Sequence, residues 1–278
     1  MKHKTFSIFY KILVQGVFIF LSATVIFSLY YLISNSLKTT NEFNASQFSL
    51  PKGFNFENFR YIWTKGGISV TFKNSMVLCV ISVVLVLILG VLAGFAFSFI
   101  KFKGKKTLSY LIISTMYISP MALIIPLFIQ FTKLNLVNNY FGIIIIYTGF
   151  HLAYSIYLIT TYFRNIPDET LEAATIDGCS KFGLLFHVFL PLSRSGLIVL
   201  CVINFSLIWN DVLFAFIFLQ KSEMQTVMVQ IAKFQGKYGV GNMTHIMAAL
   251  LIISIPTILL YLLAQRFFRE GILAGSIK

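Results

Sequence analysis

Few side chains in this sequence are able to do chemistry, and their spacing excludes most of it. The three cysteines, Cys79, Cys179 and Cys201, lie far apart, and the four histidines do not cluster. Neither a metal-ligand spacing nor a nucleophile–base pair results. No G-x-x-x-x-G-K-[ST] loop is present to cradle phosphates, so an energy source would have to be a partner. What remains is polar groups set inside apolar runs. Asn204, Asn210 and Asp211 sit near the middle of one run with Trp209 beside them, and Asn204 and Asp211, seven residues apart, share a helical face. A second run carries Tyr147, Thr148, His151, Tyr154 and Ser155 at helical spacing. Polar groups at membrane depth are costly. They either satisfy one another between packed helices or line a hydrated path. Two stripes in neighbouring runs favour the path, and the expected lining is Asn204, Trp209, Asn210, Asp211, His151 and Tyr154. A third chemistry, a proton relay through Asp211 and His151 in an ion-coupled carrier, stays open on these residues.

The runs that carry these stripes define the class. The chain has 278 residues, 58% hydrophobic and only 11% charged, with a mean hydropathy of +0.85. A soluble domain has about 25% charged residues, so this is a membrane protein. A crossing takes about 20 apolar residues, and six stretches qualify: 12–34, 75–100, 108–131, 141–162, 197–219 and 245–265. The expected organisation is a segment 1–11, a first span 12–34, an external segment 35–74, a core domain 75–265 with five spans, and a tail 266–278. The first span is expected to stay as an anchor, because Ser34-Asn35-Ser36-Leu37-Lys38 has no small-x-small cleavage site. Thirteen of the 22 basic residues fall on the N-terminal side of this topology. The run KFKGKK at 101–106, a short loop, decides the orientation: both termini are cytoplasmic. The net charge of +13 is scattered along span flanks, where it suits anionic membrane lipid rather than nucleic acid.

One block breaks the apolar pattern. Residues 163–196, FRNIPDETLEAATIDGCSKFGLLFHVFLPLSRSG, gather Arg164, Asp168, Glu169, Glu172, Asp177, Lys181 and Arg194. Pro167-Asp168-Glu169 reads as a helix start, with Asp168 as cap and both acids at the positive end of the dipole. Leu171, Ala174 and Ile176 form a short apolar side. Gly178 after Asp177 is placed to end the helix in a left-handed residue, and Ser180 opens a second short helix, 181–190, which Pro191 ends or kinks. The small residues Ala173, Ala174 and Gly178 would let another protein approach the backbone closely. On pattern alone, an ordinary amphipathic loop between spans is an equal reading.

Glu172-Ala173-Ala174, Asp177-Gly178 and Leu190-Pro191 resemble the EAA loop of bacterial ABC-type importer permeases. PDETLEAATIDG is close to the form found in carbohydrate-uptake permeases, FSLIWNDVLFAFIFL resembles their fifth span, and QRFFREGILAGSIK is similar to the tail of the maltose-type second permease subunit. Cys179 departs from the usual Ala. The similarity runs from about Pro51 to Lys278. It implies an all-α polytopic membrane protein with six transmembrane helices, type I ABC importer permease-like, in the bacterial cytoplasmic membrane. It also implies partners: a homologous second permease, two copies of a cytoplasmic ATPase, and an extracytoplasmic sugar-binding protein. ATP and Mg would be bound by the ATPase subunits, with no cofactor or metal on this chain and no covalent catalysis by it. By the same resemblance Glu172, Ala173, Ala174, Asp177, Gly178, Leu190 and Pro191 form the ATPase-coupling element. Trp209 offers an aromatic plane of the sort that stacks on sugar rings. Gly271 and Gly275 belong to an extended tail at the ATPase interface.

Several features take plainer readings. Gly90 and Gly94 are spaced for close helix contact within the bundle, and Pro120, Pro126 and Pro256 kink their spans. LPKGFNFENFRYIW is expected to lie at the headgroup level. The loop 220–244, containing Gln235-Gly236-Lys237-Tyr238, is either a contact for the binding protein or a solvated turn. Related permeases that move glycerol phosphates are an alternative, but no Lys or Arg sits mid-span to suit that cargo.

Overall fold

The computed structural model describes the backbone of residues 2–237 and 243–276 and the side chains of residues 10–234 and 243–268. Among these residues the secondary structure is helical, with no strand. Four helices are long and apolar enough to cross a membrane: Tyr10–Ser36 within α1 (Lys2–Ser36), α4 (Ile68–Ser98), α7 (Tyr140–Arg164), and Met243–Phe268 within α14 (Met243–Ser276). Counting each of two bent pairs as one span gives up to six among the described residues. α5 (Lys105–Thr115) meets α6 (Pro120–Lys133) at 95°, and Lys181–Leu192 meets α11 (Arg194–Trp209) at 76°. The first bend has a local cause. Proline disfavours helical backbone in the residue before it, and Ser119 is extended, with φ −64° and ψ 128°, ahead of Pro120.

Contacts divide the chain into two units, residues 1–69 with 231–254, and residues 70–230 with 255–278. In the first unit, α1 is followed by two short helices, α2 (Thr40–Ala45) and α3 (Glu57–Thr64). Their junction is built on Lys38, which is fully buried. Its Nζ donates to Asn35 Oδ1 at 3.0 Å and to the carbonyls of Ser46 and Gln47, each at 3.1 Å. Burial lowers the affinity of this ammonium for its proton, and the Glu42 carboxylate partly offsets that. Asn58 Nδ2 donates to the Ser36 and Lys38 carbonyls at 2.8 Å each, tying α3 to the end of α1. Tyr61 stacks on His245, with ring centroids 4.5 Å apart.

The stretch expected as a loop at 220–244 is largely helical: α13 spans Val227–Lys237, and Val227, Ile231 and Phe234 are buried. Those three recur at helical spacing, so burial of one face outweighs the local Gln, Lys and Gly content. Tyr238 lies outside the described residues.

The second unit is organised on α7, which packs against α5, α11 and α12 (Leu213–Phe218). α4 meets it through glycines. A Cβ on Gly90 would sit 3.3 Å from Ser155 Cβ, and one on Gly94 would overlap Ile159 Cγ2. These residues therefore serve contact within the chain. At the far end of α4, Phe95 and Phe99 pack edge-on against Phe189 at 5.0 and 5.7 Å, and Phe163 of α7 does the same at 5.0 Å.

Gly94→Leu should force α4 away from α7 and lower stability by about 1–3 kcal/mol, with Gly94→Ala costing less. Thermal unfolding of the detergent-solubilised protein tests this, and an unchanged midpoint for the leucine variant would contradict the close seating.

Candidate functional site

The charged block forms a helical hairpin. α8 (Asp168–Ile176) starts after Pro167, whose backbone is extended. Asp168 and Glu169 lie in the first turn, where they suit the helix dipole, but no side chain caps the helix, Asp168 included. A cap needs the position before the first helical residue, and Pro167 occupies it. The other end closes as its glycine requires. Gly178 has φ +84°, its N–H bonds the Thr175 carbonyl at 3.0 Å, and the Cys179 N–H bonds the Ala174 carbonyl at 3.0 Å. That is the paired closure of a Schellman motif. Ser180 then caps α9 (Lys181–Leu184), its Oγ accepting from the Gly183 N–H at 3.1 Å. A π-helical turn, Leu185–Phe189, leads into α10 (Leu190–Leu192), so the helix passes Pro191 and breaks at Ser193.

The hairpin has two sides. Leu171, Ala174, Cys179 and Leu190 pack against a buried cluster that includes Phe95, Phe163, Leu184, Leu185 and Phe189. Glu172, Ala173, Asp177, Gly178 and Pro191 are exposed. Ala174 thus faces the bundle rather than an outside partner. Ile176, expected on the apolar side with Leu171 and Ala174, is 86% exposed, and Phe182 and Phe186 are exposed with it. Nine residues give α8 only two and a half turns, so Leu171 and Ala174 fill its inward face and Ile176 falls outside it. A cleft of about 720 Å³ lies beside α8, with Lys101, Arg164, Asp168 and Glu172 among its lining and Phe99, Phe163 and Phe189 as apolar wall.

The polar residues expected along a pathway separate into two groups. Asn204 is fully buried in α11, its Nδ2 donating to Ser155 Oγ on α7 at 3.1 Å and to the Leu200 carbonyl at 2.9 Å. Trp209 is 2% exposed, stacked on Phe205 at 5.5 Å and met edge-on by Phe72 at 5.4 Å. In this conformation both are packing residues of the second unit. Asp211 lies in the break between α11 and α12. Tyr147 Oη donates to Asp211 Oδ2 at 2.8 Å, and the Ala215 and Phe214 N–H groups donate to its carboxylate at 3.0 and 3.4 Å. The carboxylate thus caps α12 and ties it to α7. Asn210 is exposed, its amide turned back to the Ser206 carbonyl at 2.8 Å. His151 and Tyr154 are half-buried on α7, and the His151 carbonyl accepts from Ser155 Oγ at 2.8 Å. No hydrogen bond joins His151 to Asp211 among the described residues, so the structure does not bring a relay together.

At the C-terminus the backbone is helical through Ser276, which replaces the extended tail expected around Gly271 and Gly275. Two glycines cost about 1 kcal/mol each in a helix, too little to end one already 34 residues long. The side chains from Arg269 onward lie outside the described residues.

The pattern of the family described as "binding-protein-dependent transport system inner membrane component" matches residues 86–273. The chain belongs to this family. It is therefore a membrane transport protein and not an enzyme. Among its relatives, the probable ABC transporter permease protein YurM of Bacillus subtilis is 32% identical over 267 residues, 94% of this chain and 87% of that protein. The melibiose/raffinose/stachyose import permease protein MelC of the same species is 31% identical, covering 90% of each chain. A chain in the crystal structure of a bacterial ABC transporter that imports the acidic polysaccharide alginate matches with a TM-score of 0.84 at 23% identity. It covers 93% of this chain and 96% of that one, and shares the fold.

Sequence reasoning on this permease missed two structural anchors. Phe189 joins the hairpin to α4 and α7, and only its place in an apolar run marks it. Asn138, at φ 55°, accepts from the Gln220 and Lys221 N–H groups at 2.6 and 3.0 Å. The doublet Asn138-Asn139 ahead of α7 is the kind of turn signal that points to it.

Tyr147→Phe should lower stability by about 1 kcal/mol and Asp211→Ala by more, since it also uncaps α12. A double-mutant cycle by thermal unfolding should return a clear coupling between them, and additive effects would remove the tie.

Proposed function

We propose that this chain is one permease subunit of an ATP-driven carbohydrate importer and forms half of its translocation pathway. The observation that carries the proposal is the α8 hairpin: a rigid, twice-capped element with an exposed acidic and apolar outer side and an inner side locked to the bundle through Phe189. An element of that form transmits a push without folding up. Glu172 and Asp177 would meet basic groups of a cytoplasmic ATPase, while Ala173 and Gly178 allow close approach. Ile176, Phe182 and Phe186, exposed on the hairpin, would fill apolar recesses. Ala174 and Leu190 act one layer inward, fixing the hairpin, and the exposed Pro191 sets with Leu190 the place where the chain re-enters the membrane.

In this reading ATP and Mg are held by two copies of the ATPase, and this chain binds no cofactor or metal. Closure of the ATPase pair drives the hairpin as a lever. The spans then rotate and the pathway alternates between inward-open and outward-open forms. A homologous second permease supplies the other half, and an extracytoplasmic sugar-binding protein delivers cargo. The family description names binding-protein dependence, and the MelC relative carries the carbohydrate assignment. Both termini are cytoplasmic, and the tail with Gly271 and Gly275 reaches the ATPase interface. Asn210, exposed, and Asp211, His151 and Tyr154, half-buried, are the pathway residues. Asn204 and Trp209 would join them only after the packing around them opens. The carboxylate of Asp211 is occupied by Tyr147 and two backbone amides, which weighs against a proton relay.

Affinity purification of the chain from its native membrane, followed by an ATPase assay, tests the proposal. A second permease and an ATPase should co-purify. Ile176→Asp, and Glu172→Ala combined with Gly178→Leu, should each weaken ATPase retention about tenfold or more. Purification of the chain alone, still conducting solute in liposomes, would refute the coupling role.

A further inference from the structure

The segment between α2 and α3 does not extend away from α1 but folds back along it. Lys38 Nζ holds the Ser46 and Gln47 carbonyls. Further along, Ser34 Oγ donates to the Ser49 carbonyl at 3.2 Å and Tyr30 Oη to the Phe48 carbonyl at 3.0 Å. Tyr31 Oη donates to Gln47 Oε1 at 3.1 Å. The Phe48 ring stacks on Phe27 at 6.2 Å and meets Tyr31 at 5.8 Å. The chain then climbs again, and the Asn55 N–H bonds the Leu37 carbonyl at 3.0 Å. Residues 46–50 therefore dip to the level of Phe27–Ser34, with Phe48 reaching furthest, and return to the end of the helix.

That level is inside the membrane. No charged residue lies between Lys11 and Lys38, a helical rise of about 40 Å, against about 30 Å of hydrocarbon. With both lysines at headgroup depth, Phe27 to Ser34 lie about 4–14 Å from the midplane. Irregular backbone is tolerated near hydrocarbon only where its polar groups are satisfied. Here the carbonyls of 46, 47, 48 and 49 each accept a hydrogen bond from an α1 or Lys38 side chain. Phe48 and Leu50 remain 65% and 72% exposed. Lys52 and Arg60, both exposed, follow at the height of the returning chain, where phosphate headgroups lie.

We propose that residues 46–50 form a lipid-facing wedge that inserts Phe48 and Leu50 among the acyl chains of the leaflet at the C-terminal end of α1, with Lys38 as its internal anchor. The partner is the bilayer itself, along a surface continuous with the lipid-exposed side of α1.

The test places a tryptophan in the wedge. Phe48→Trp in the full chain is compared with the parent, which has only Trp63 and Trp209, in liposomes of acyl-brominated phosphatidylcholine and phosphatidylglycerol. The same comparison is run on the complex purified from native membranes. The added emission should be blue-shifted, quenched by the brominated chains and untouched by aqueous iodide, in both preparations. Quenching by iodide would put the wedge in water and overturn the proposal. So would emission that neither quencher reaches in the complex, since a protein partner would then cover Phe48. Adding Lys38→Met should shift the emission from bromine towards iodide quenching with helical content retained, and an unchanged profile would remove Lys38 as the anchor.

Discussion

Gly90 and Gly94 let α4 lie against α7 at a separation that any larger residue would widen, and the aromatic cluster that holds the hairpin is built on that contact. With the two helices close, Phe95 and Phe99 at the end of α4 reach the same point as Phe163 at the end of α7. All three close on Phe189. The α8 hairpin is held by that cluster and has few other holds, since its outer residues are exposed. A motion of α8 is thus a motion of α4 and α7 as well, because aromatic packing at this density does not stretch.

Polar groups inside the unit serve a second need, since a side chain covers the break between α11 and α12. The interruption between α11 and α12 frees backbone amides, and Asp211 accepts two of them while holding Tyr147 across the gap. Asn204 and Ser155 link α11 to α7 about two turns further along. The polar stripe is therefore partly structural. Its members differ in what they have left to offer, since Asn210 is exposed while Asn204 and Trp209 are enclosed.

Much of this architecture was legible in the residues, and the unread part has a common cause. Apolar length located the long helices α1, α4, α7 and α14, and local chemistry located the hairpin's corners, because Gly178 and Ser180 act on neighbours within a few positions. The misreadings arose where the deciding partner is distant in sequence. Ala174 turns inward because Phe163 and Phe189 come from other elements, and Trp209 is enclosed by Phe72, more than a hundred residues away. Lys38 looked like a flank charge because three of its partners are one amide oxygen and two backbone carbonyls, and carbonyls carry no sequence signature. For α13, helical spacing of three buried residues outweighed a loop-like composition.

The π-helical turn Leu185–Phe189 sits between the capped corner at Ser180 and the re-entry at Leu190. Such a turn amounts to one residue more than the α-helix would use, and it opens the backbone just where Phe189 must be aimed at the cluster. Each residue of an α-helix turns the chain by about 100°. The wide turn takes up its extra residue without altering that rotation, whereas a residue added or lost that it did not absorb would swing everything before it by that angle, carrying Ile176 and Glu172 off their present bearing while every side chain stayed the same. The direction in which the hairpin points is therefore a matter of residue count as well as residue type. This short stretch should accept exchanges of similar side chains far more readily than a change in its length.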